Sequence, residues 1–251
     1  MPALAPPDLS TSALFLDVDG TLLEIAATPL AVRVEPELTA LLRSLLLATS
    51  GALALVSGRS IAELDALFLP LTLPAAGLHG FEKRGASGSY DCQRLPAAAA
   101  LEQARHALLE LANQHPGLLV EDKRFSLALH YRRAPQLESV VVRAMTDIAA
   151  SVRPELELQM GKRVAELRPA GSTKGAAVSE LMAEPPFRGR SPIYIGDDLT
   201  DESAFEWVNG VGGLSIAVNV GGATTARERL PDVRAVRDWL AQACGPSSLK
   251  R

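Results

Sequence analysis

Apolar and polar positions follow two different rhythms along this chain. Ala13-Leu14-Phe15-Leu16 and Ala52-Leu53-Ala54-Leu55-Val56 are short, unbroken apolar runs. Such runs predict strands covered on both faces, the first reaching over residues 13–18. Between them, Leu38, Leu41, Leu42, Leu45 and Leu46 recur at helical spacing within residues 35–47, and Pro36 suits a first-turn position. Residues 60–68 read as a second helix, because Ser60 followed three residues later by Glu63 is a capping-box pattern. Residues 75–80 make a third strand candidate. Strand–helix alternation of this kind predicts a parallel, doubly wound α/β sheet.

The middle of the chain has a different pattern. A long alanine- and leucine-rich helix is expected from Pro96 to His115, then strands at residues 118–120 and 126–131. The second of these alternates as a half-exposed antiparallel strand would. A helix over residues 135–151 and strands over 155–160 and 164–168 follow. Together they predict a compact α+β insert with one open sheet face, occupying residues 86–168, with Gly85-Ala86-Ser87-Gly88-Ser89 as hinge or turn. The core, residues 1–85 and 169–251, resumes with a helix over 173–182 that Pro185-Pro186 ends. It continues with a strand at Ser191-Pro192-Ile193-Tyr194-Ile195, a last strand over 214–218 and a closing helix ending near Trp239.

Composition narrows the class. The 251 residues are 47% hydrophobic and 4% aromatic, enough for a sizeable core. No apolar run approaches the roughly 18 residues of a membrane span, and residues 1–10 lack the basic cluster of a signal peptide. Cys92 and Cys244 have neither disulfide-framework nor metal-ligand spacing, which fits free thiols in a reducing cytoplasm. The net charge of −4, without a basic run, argues against nucleic acid as a partner. A cytoplasmic monomer with a small-molecule substrate and no membrane partner is expected. Residues 86–168 carry eleven basic and ten acidic side chains, the remainder fourteen and nineteen. The acidic excess therefore belongs to the core.

That excess collects at strand ends. Asp17-Val18-Asp19-Gly20-Thr21 follows the first apolar run, Ser57-Gly58-Arg59 the second, and Gly196-Asp197-Asp198-x-x-Asp201 the strand ending at Ile195. Ligands of open α/β sheets bind at the carboxyl ends of the strands, so these segments should share one crevice. Ser172-Thr173-Lys174-Gly175 opens a helix whose amides favour an anion. Carboxylates crowded together need a compensating cation, and an oxygen-rich site beside a phosphate suits Mg²⁺. Thr21, Ser57, Gly58 and Lys174 would then bind the oxygens of a transferring phosphoryl group. Asp17 would attack phosphorus, and Asp19, on the same face of an extended chain, would move the proton. Asp17, Asp19 through its backbone carbonyl, Asp197 and Asp198 are the expected metal ligands. Blander roles stand beside these. A lone Asp-x-Asp-Gly is commonly an Asx turn. Asp198 and Asp201 also suit helix caps, evenly so for Asp201. Arg59 suits a salt bridge, Lys123 ordinary surface, and His79 and His130 structural hydrogen bonds. Lys174 sits against the dipole of its own helix start, which favours a functional role.

Taken in order and spacing, the four core segments resemble the motifs of the haloacid-dehalogenase (HAD) phosphatase superfamily, and the insert resembles that superfamily's second class of α/β cap. Leu78-His79-Gly80, Val120-Glu121-Asp122-Lys123, His130-Tyr131-Arg132, Gly161-Lys162, Glu166-Leu167-Arg168-Pro169 and Gly196-Asp197-Asp198-Leu199-Thr200-Asp201-Glu202 extend the likeness over nearly the whole chain, to the trehalose-6-phosphate phosphatases. The resemblance implies a HAD-like core with an inserted cap and Mg²⁺-dependent hydrolysis of trehalose 6-phosphate. It also implies sugar contacts by Lys123, Glu166 and Arg59. Alternatives are another sugar-phosphate phosphatase (sucrose 6-phosphate or a glycosylglycerate phosphate), a phosphomutase, and a receiver-like phospho-aspartyl module, which needs about half this length. Asn219-Val220-Gly221-Gly222 departs from the shorter valine–glycine turn expected near the last strand.

Overall fold

The structure, a computed structural model, describes residues 4–25, 32–92, 97–123 and 125–245. The chain divides into two compact units, Met1–Asp91 with Thr173–Arg251, and Cys92–Ser172.

The larger unit is built on an eight-stranded sheet. Its central strands are β1 (Ser12–Leu16), β2 (Leu53–Val56), β3 (Ala75–Gly77), β10 (Ser191–Gly196) and β11 (Leu214–Val218), all parallel where they pair. Three short strands, β4 (Glu82–Arg84), β5 (Tyr90–Cys92) and β12 (Glu228–Leu230), extend the edges, giving the order β12-β11-β10-β1-β2-β3-β4-β5. β4 runs antiparallel to β3. In β1 the side chains alternate between two separate cores. Leu14 and Leu16 join Leu53, Leu55, Ile193 and Ile195 beneath α1 (Pro36–Ala48), α2 (Ile61–Phe68) and α7 (Val233–Cys244). Ala13 and Phe15 join Ala54, Val56 and Tyr194 against α5 (Lys174–Met182) and α6 (Glu202–Gly210). Two covered faces explain why these strands read as unbroken apolar runs. Pro36 opens α1, and Ser60 and Glu63 form the expected reciprocal cap on α2.

The smaller unit is a four-stranded antiparallel sheet, ordered β6 (Leu119–Asp122), β7 (Leu127–His130), β9 (Val164–Pro169) and β8 (Leu156–Gly161). Helices α3 (Ala98–Gln114) and α4 (Glu138–Ser151) bury Leu108, Leu127, Leu129, Met145 and Leu167 on one face. The cross-strand row Glu121, Ala128, Glu166 and Gln159 lies on the other face.

The structure corrects several expectations. Residues 86–91 complete the edge hairpin of the larger sheet rather than starting the insert. Within that hairpin the Gly85 amide donates to the Ser89 carbonyl at 3.0 Å. The third strand stops at Gly77, because Leu78-His79-Gly80 turns away as a single helical turn. Strand β7 is not half-exposed: Leu127, Ala128 and Leu129 are all buried, since β7 lies inside its sheet. The closing helix runs on to Cys244. Pro96, where sequence pattern starts the third helix, lies outside the described residues.

Replacing Leu42, fully buried under the sheet, by Ala should cost about 2–5 kcal/mol through lost contacts and a residual cavity. Leu47→Ala on the same helix, where Leu47 is 75% exposed, should stay within about 0.5 kcal/mol. Urea midpoints of the two variants test this, and equal shifts would contradict the placement of α1.

Candidate active site

Four strand and helix ends build the site within the larger unit. Asp17 follows β1 and extends its ladder, donating its amide to the Ile195 carbonyl at 2.9 Å. The side chain is thereby driven into the carboxyl edge of an apolar sheet and is 4% exposed. Asp17 Oδ1 accepts from Lys174 Nζ at 2.8 Å, and Oδ2 accepts from Thr21 Oγ1 at 3.4 Å. Lys174 begins α5, whose N-cap Thr173 accepts from the Ala176 amide at 3.1 Å. Its ammonium also donates to Asp201 Oδ1 at 2.6 Å. The macrodipole disfavours a lysine there, and two buried carboxylates override it.

Asp201 organises the cluster. Its Oδ1 accepts from the Tyr194 hydroxyl at 2.6 Å, and its Oδ2 accepts from the amides of Asp197 at 3.0 Å and Asp198 at 2.9 Å. It is therefore both a cap and a buried member of the site. Asp17, Asp197 and Asp201 each offer an oxygen, and these oxygens lie within 4.8 Å of one another. Gly20 makes the approach possible: its backbone is left-handed at φ +86°, and a Cβ there would lie 2.1 Å from Asp197 Oδ2. Three buried carboxylates face one ammonium, so full ionisation would leave two negative charges in a desolvated pocket. A divalent cation fits that donor set and that charge.

The titration behaviour follows from the same imbalance. Burial pushes the Asp17 carboxyl well above its ordinary value; Lys174 opposes this, while Asp201 and Asp197 add to it. Burial works against the Lys174 ammonium, but Asp17 and Asp201 outweigh it and hold its pKa above the ordinary lysine value. The Tyr194 hydroxyl is pushed up by burial and by Asp201.

The remaining expected residues fall into place around this cluster or apart from it. Asp19 is gripped by Arg59, whose Nε and one terminal nitrogen each donate to it at 2.6 Å. Arg59 thus takes the salt-bridge role. Ser57 is buried, its hydroxyl accepting from the Arg59 amide at 3.2 Å, and Gly58 lies between them. Asp198 stands apart from the acidic cluster: its Oδ1 accepts from the Leu199 amide at 2.6 Å and caps the following turn. The cluster holds Asp201 in its stead. In the smaller unit Lys123 and Glu166 do meet, at 3.1 Å, and buried Ser126 donates to the other Glu166 oxygen at 2.6 Å. His130 pairs with Glu121 at 2.7 Å. Burial raises the Glu121 pKa, but His130 and Lys123 outweigh it and hold it below the ordinary value. Tyr194 was not among the expected site residues. Its one sequence signal is a phenol within a buried apolar strand, which requires a partner.

Two results should follow, the first in metal-free protein. The folded state retains a proton on Asp17 that the unfolded chain releases in the ordinary carboxylate range. The associated stability is full below that range and is lost as pH rises through the raised value. Melting temperature in EDTA should therefore fall over that interval, and a pH-independent value would contradict it. Saturating Mg²⁺ should raise the melting temperature at neutral pH by mass action. Asp197→Asn should remove most of that rise, and an undiminished rise would exclude Asp197 from the cation site.

A trehalose-phosphatase family model matches residues 15–231. The chain is 44% identical over 240 residues to trehalose-6-phosphate phosphatase of Escherichia coli (strain K12), covering 95% of this chain and 89% of that protein. It is 43% identical over 237 residues to a probable trehalose-phosphate phosphatase of Sinorhizobium fredii, covering 93% and 88%. Among solved structures, the C-terminal domain of the Candida albicans trehalose-6-phosphate phosphatase shares the fold, with a TM-score of 0.85 at 23% identity over 94% of this chain and 93% of that one. A trehalose-6-phosphate phosphatase related protein aligns with a TM-score of 0.71 at 27% identity, covering 92% and 96%. With two relatives above 40% identity along nearly its whole length and a family model spanning most of it, the chain belongs to the trehalose-phosphatase family.

Proposed function

We propose that this protein hydrolyses trehalose 6-phosphate to trehalose and inorganic phosphate, with Mg²⁺ as its cation and an aspartyl-phosphate as intermediate. The observation that carries this reading is the buried Asp17–Lys174–Asp201 chain beside Asp197, at the carboxyl ends of the strands. Asp17, Asp197 and the backbone carbonyl of Asp19 would hold the cation, which supplies charge neutralisation for the carboxylates and the phosphoryl oxygens.

The protein's own groups divide the work. Lys174 fixes Asp17 through Oδ1, so Oδ2 is the oxygen turned to attack. The Asp17 Oδ2–phosphorus bond forms as the bond from phosphorus to the sugar C6 oxygen breaks, and Asp19 gives that oxygen its proton. Asp19 then takes a proton from the water that attacks phosphorus, releasing phosphate and restoring Asp17. Arg59 holds both Asp19 oxygens, so that pair must loosen before Asp19 reaches the leaving oxygen. Arg59, freed, becomes available to the sugar. Thr21, Ser57, Gly58 and Lys174 receive phosphate oxygens. Lys123 and Glu166 bind sugar hydroxyls, a carboxylate–ammonium pair being both acceptor and donor. Cys92 and Cys244 are in no disulfide, which fits a reducing compartment, and we take the enzyme to be a cytoplasmic monomer. Among the described residues no helix is long and apolar enough to cross a membrane.

Phosphate release from a panel of sugar phosphates should favour trehalose 6-phosphate and stop with EDTA. A preference for sucrose 6-phosphate would replace the substrate, and full activity after chelation would remove the metal. Asp17→Asn should lower kcat by at least about 10⁴-fold, as loss of a nucleophile does. Glu166→Ala should reduce kcat/KM about ten-fold or more for the disaccharide, the worth of a charged hydrogen bond, and spare a small aryl phosphate. Equal losses on both substrates would take Glu166 out of sugar recognition.

A further inference from the structure

The Leu78-His79-Gly80 turn follows the carboxyl end of β3, and the chemistry above makes no use of it. All three residues have left-handed backbone, at φ 49°, 58° and 102°. Leucine avoids that region and histidine visits it only occasionally, and such residues persist where their surroundings over-determine them. The surroundings here are the two elements that receive phosphate. On one side the Leu78 amide donates to the Arg59 carbonyl at 2.9 Å and the His79 amide to the Ser57 carbonyl at 3.0 Å. On the other side Gly80 packs against the start of α5: a Cβ on Gly80 would lie 2.7 Å from the Thr173 carbonyl oxygen. Thr173 caps the helix that Lys174 begins.

The His79 ring completes the wedge. It is buried, and it covers Gly58 so closely that a Cβ there would lie 2.8 Å from both Cε1 and Nε2. Gly58 therefore has no side chain because the imidazole occupies its place. The Ser57–Gly58 loop can move neither toward the ring nor, through its two carbonyl bonds, away from the turn.

We propose that His79 is a positioning residue of the phosphate site. Its ring and its strained turn hold the Ser57–Gly58 loop at a fixed separation from Lys174, so that donors on both elements meet one phosphate. The proposal rests on the phosphatase reading of the site. His79→Asn removes the ring but keeps a residue that tolerates left-handed backbone. It should raise the KM of trehalose 6-phosphate, the KM of an aryl phosphate and the Ki of inorganic phosphate together, each about ten-fold, as sub-ångström misplacement does. The Mg²⁺ concentration for half-maximal activity should not move. Gly58→Ala should have the same effect, by pushing the ring from the other side. The double variant, with room made, should bind phosphate better than Gly58→Ala alone. A folded His79→Asn protein with wild-type KM and Ki would overturn the proposal. If that variant does not fold, Gly58→Ala with unaltered phosphate Ki overturns it equally. Should the wild-type protein release phosphate from neither substrate, the phosphatase reading fails by itself. Inorganic phosphate affinity by calorimetry then decides the role of His79.

Discussion

Three carboxylates share one desolvated pocket with a single ammonium, and much of the larger unit serves to make that arrangement stand. The central strands supply a dry floor with mostly apolar side chains on both faces, and the carboxylates stand where these strands end. Asp17 and Asp197 lie at two of those ends, while Lys174 enters from the start of a helix. Asp201 binds the group together through Lys174, Tyr194 and two backbone amides. Burial raises the proton affinity of Asp17, so without a cation the pocket trades ionisation for a proton. A pocket of this kind is costly to the fold and useful to a reaction that develops negative charge on oxygen.

The second carboxylate of the Asp-x-Asp pair has a different environment. Asp17 is buried against lysine, whereas Asp19 is half-exposed and held by Arg59. One sequence motif thus yields a fixed, buried carboxylate and a more accessible one, and under the proposed mechanism these environments rather than the residue types divide nucleophile from proton carrier. The smaller unit repeats the idea on the sheet face opposite its helices. Glu121 with His130, Glu166 with Lys123, and Glu157 with Arg168 are acid–base pairs across the strands. Such pairs suit neutral, hydroxyl-rich ligands because each offers donors and an acceptor side by side.

Much of this was legible in the sequence, for physical reasons. A strand covered on both faces must be apolar throughout, so a carboxylate at its end stands out; that marked Asp17 and Asp197. The cap of α2 is a local hydrogen-bond pattern and reads directly from Ser60 and Glu63. Edge strands β4, β5 and β12 have three residues each and carry charge, so no periodicity announces them. Asp198 and Asp201 lie within one turn, and backbone geometry alone decides which of them enters the cluster. The Arg59–Asp19 pair joins residues forty positions apart, and the Tyr194 hydroxyl finds Asp201 only in the folded chain. Local chemistry could be read from order and spacing; choices between near-equivalent partners could not.

The most direct test of the central claim is to trap the covalent intermediate. Enzyme mixed with phosphorus-labelled trehalose 6-phosphate and Mg²⁺, quenched in acid within one turnover and digested, should yield one labelled peptide, with the phosphate on Asp17. Turnover without any phosphoenzyme, or label on a residue other than Asp17, would contradict the account.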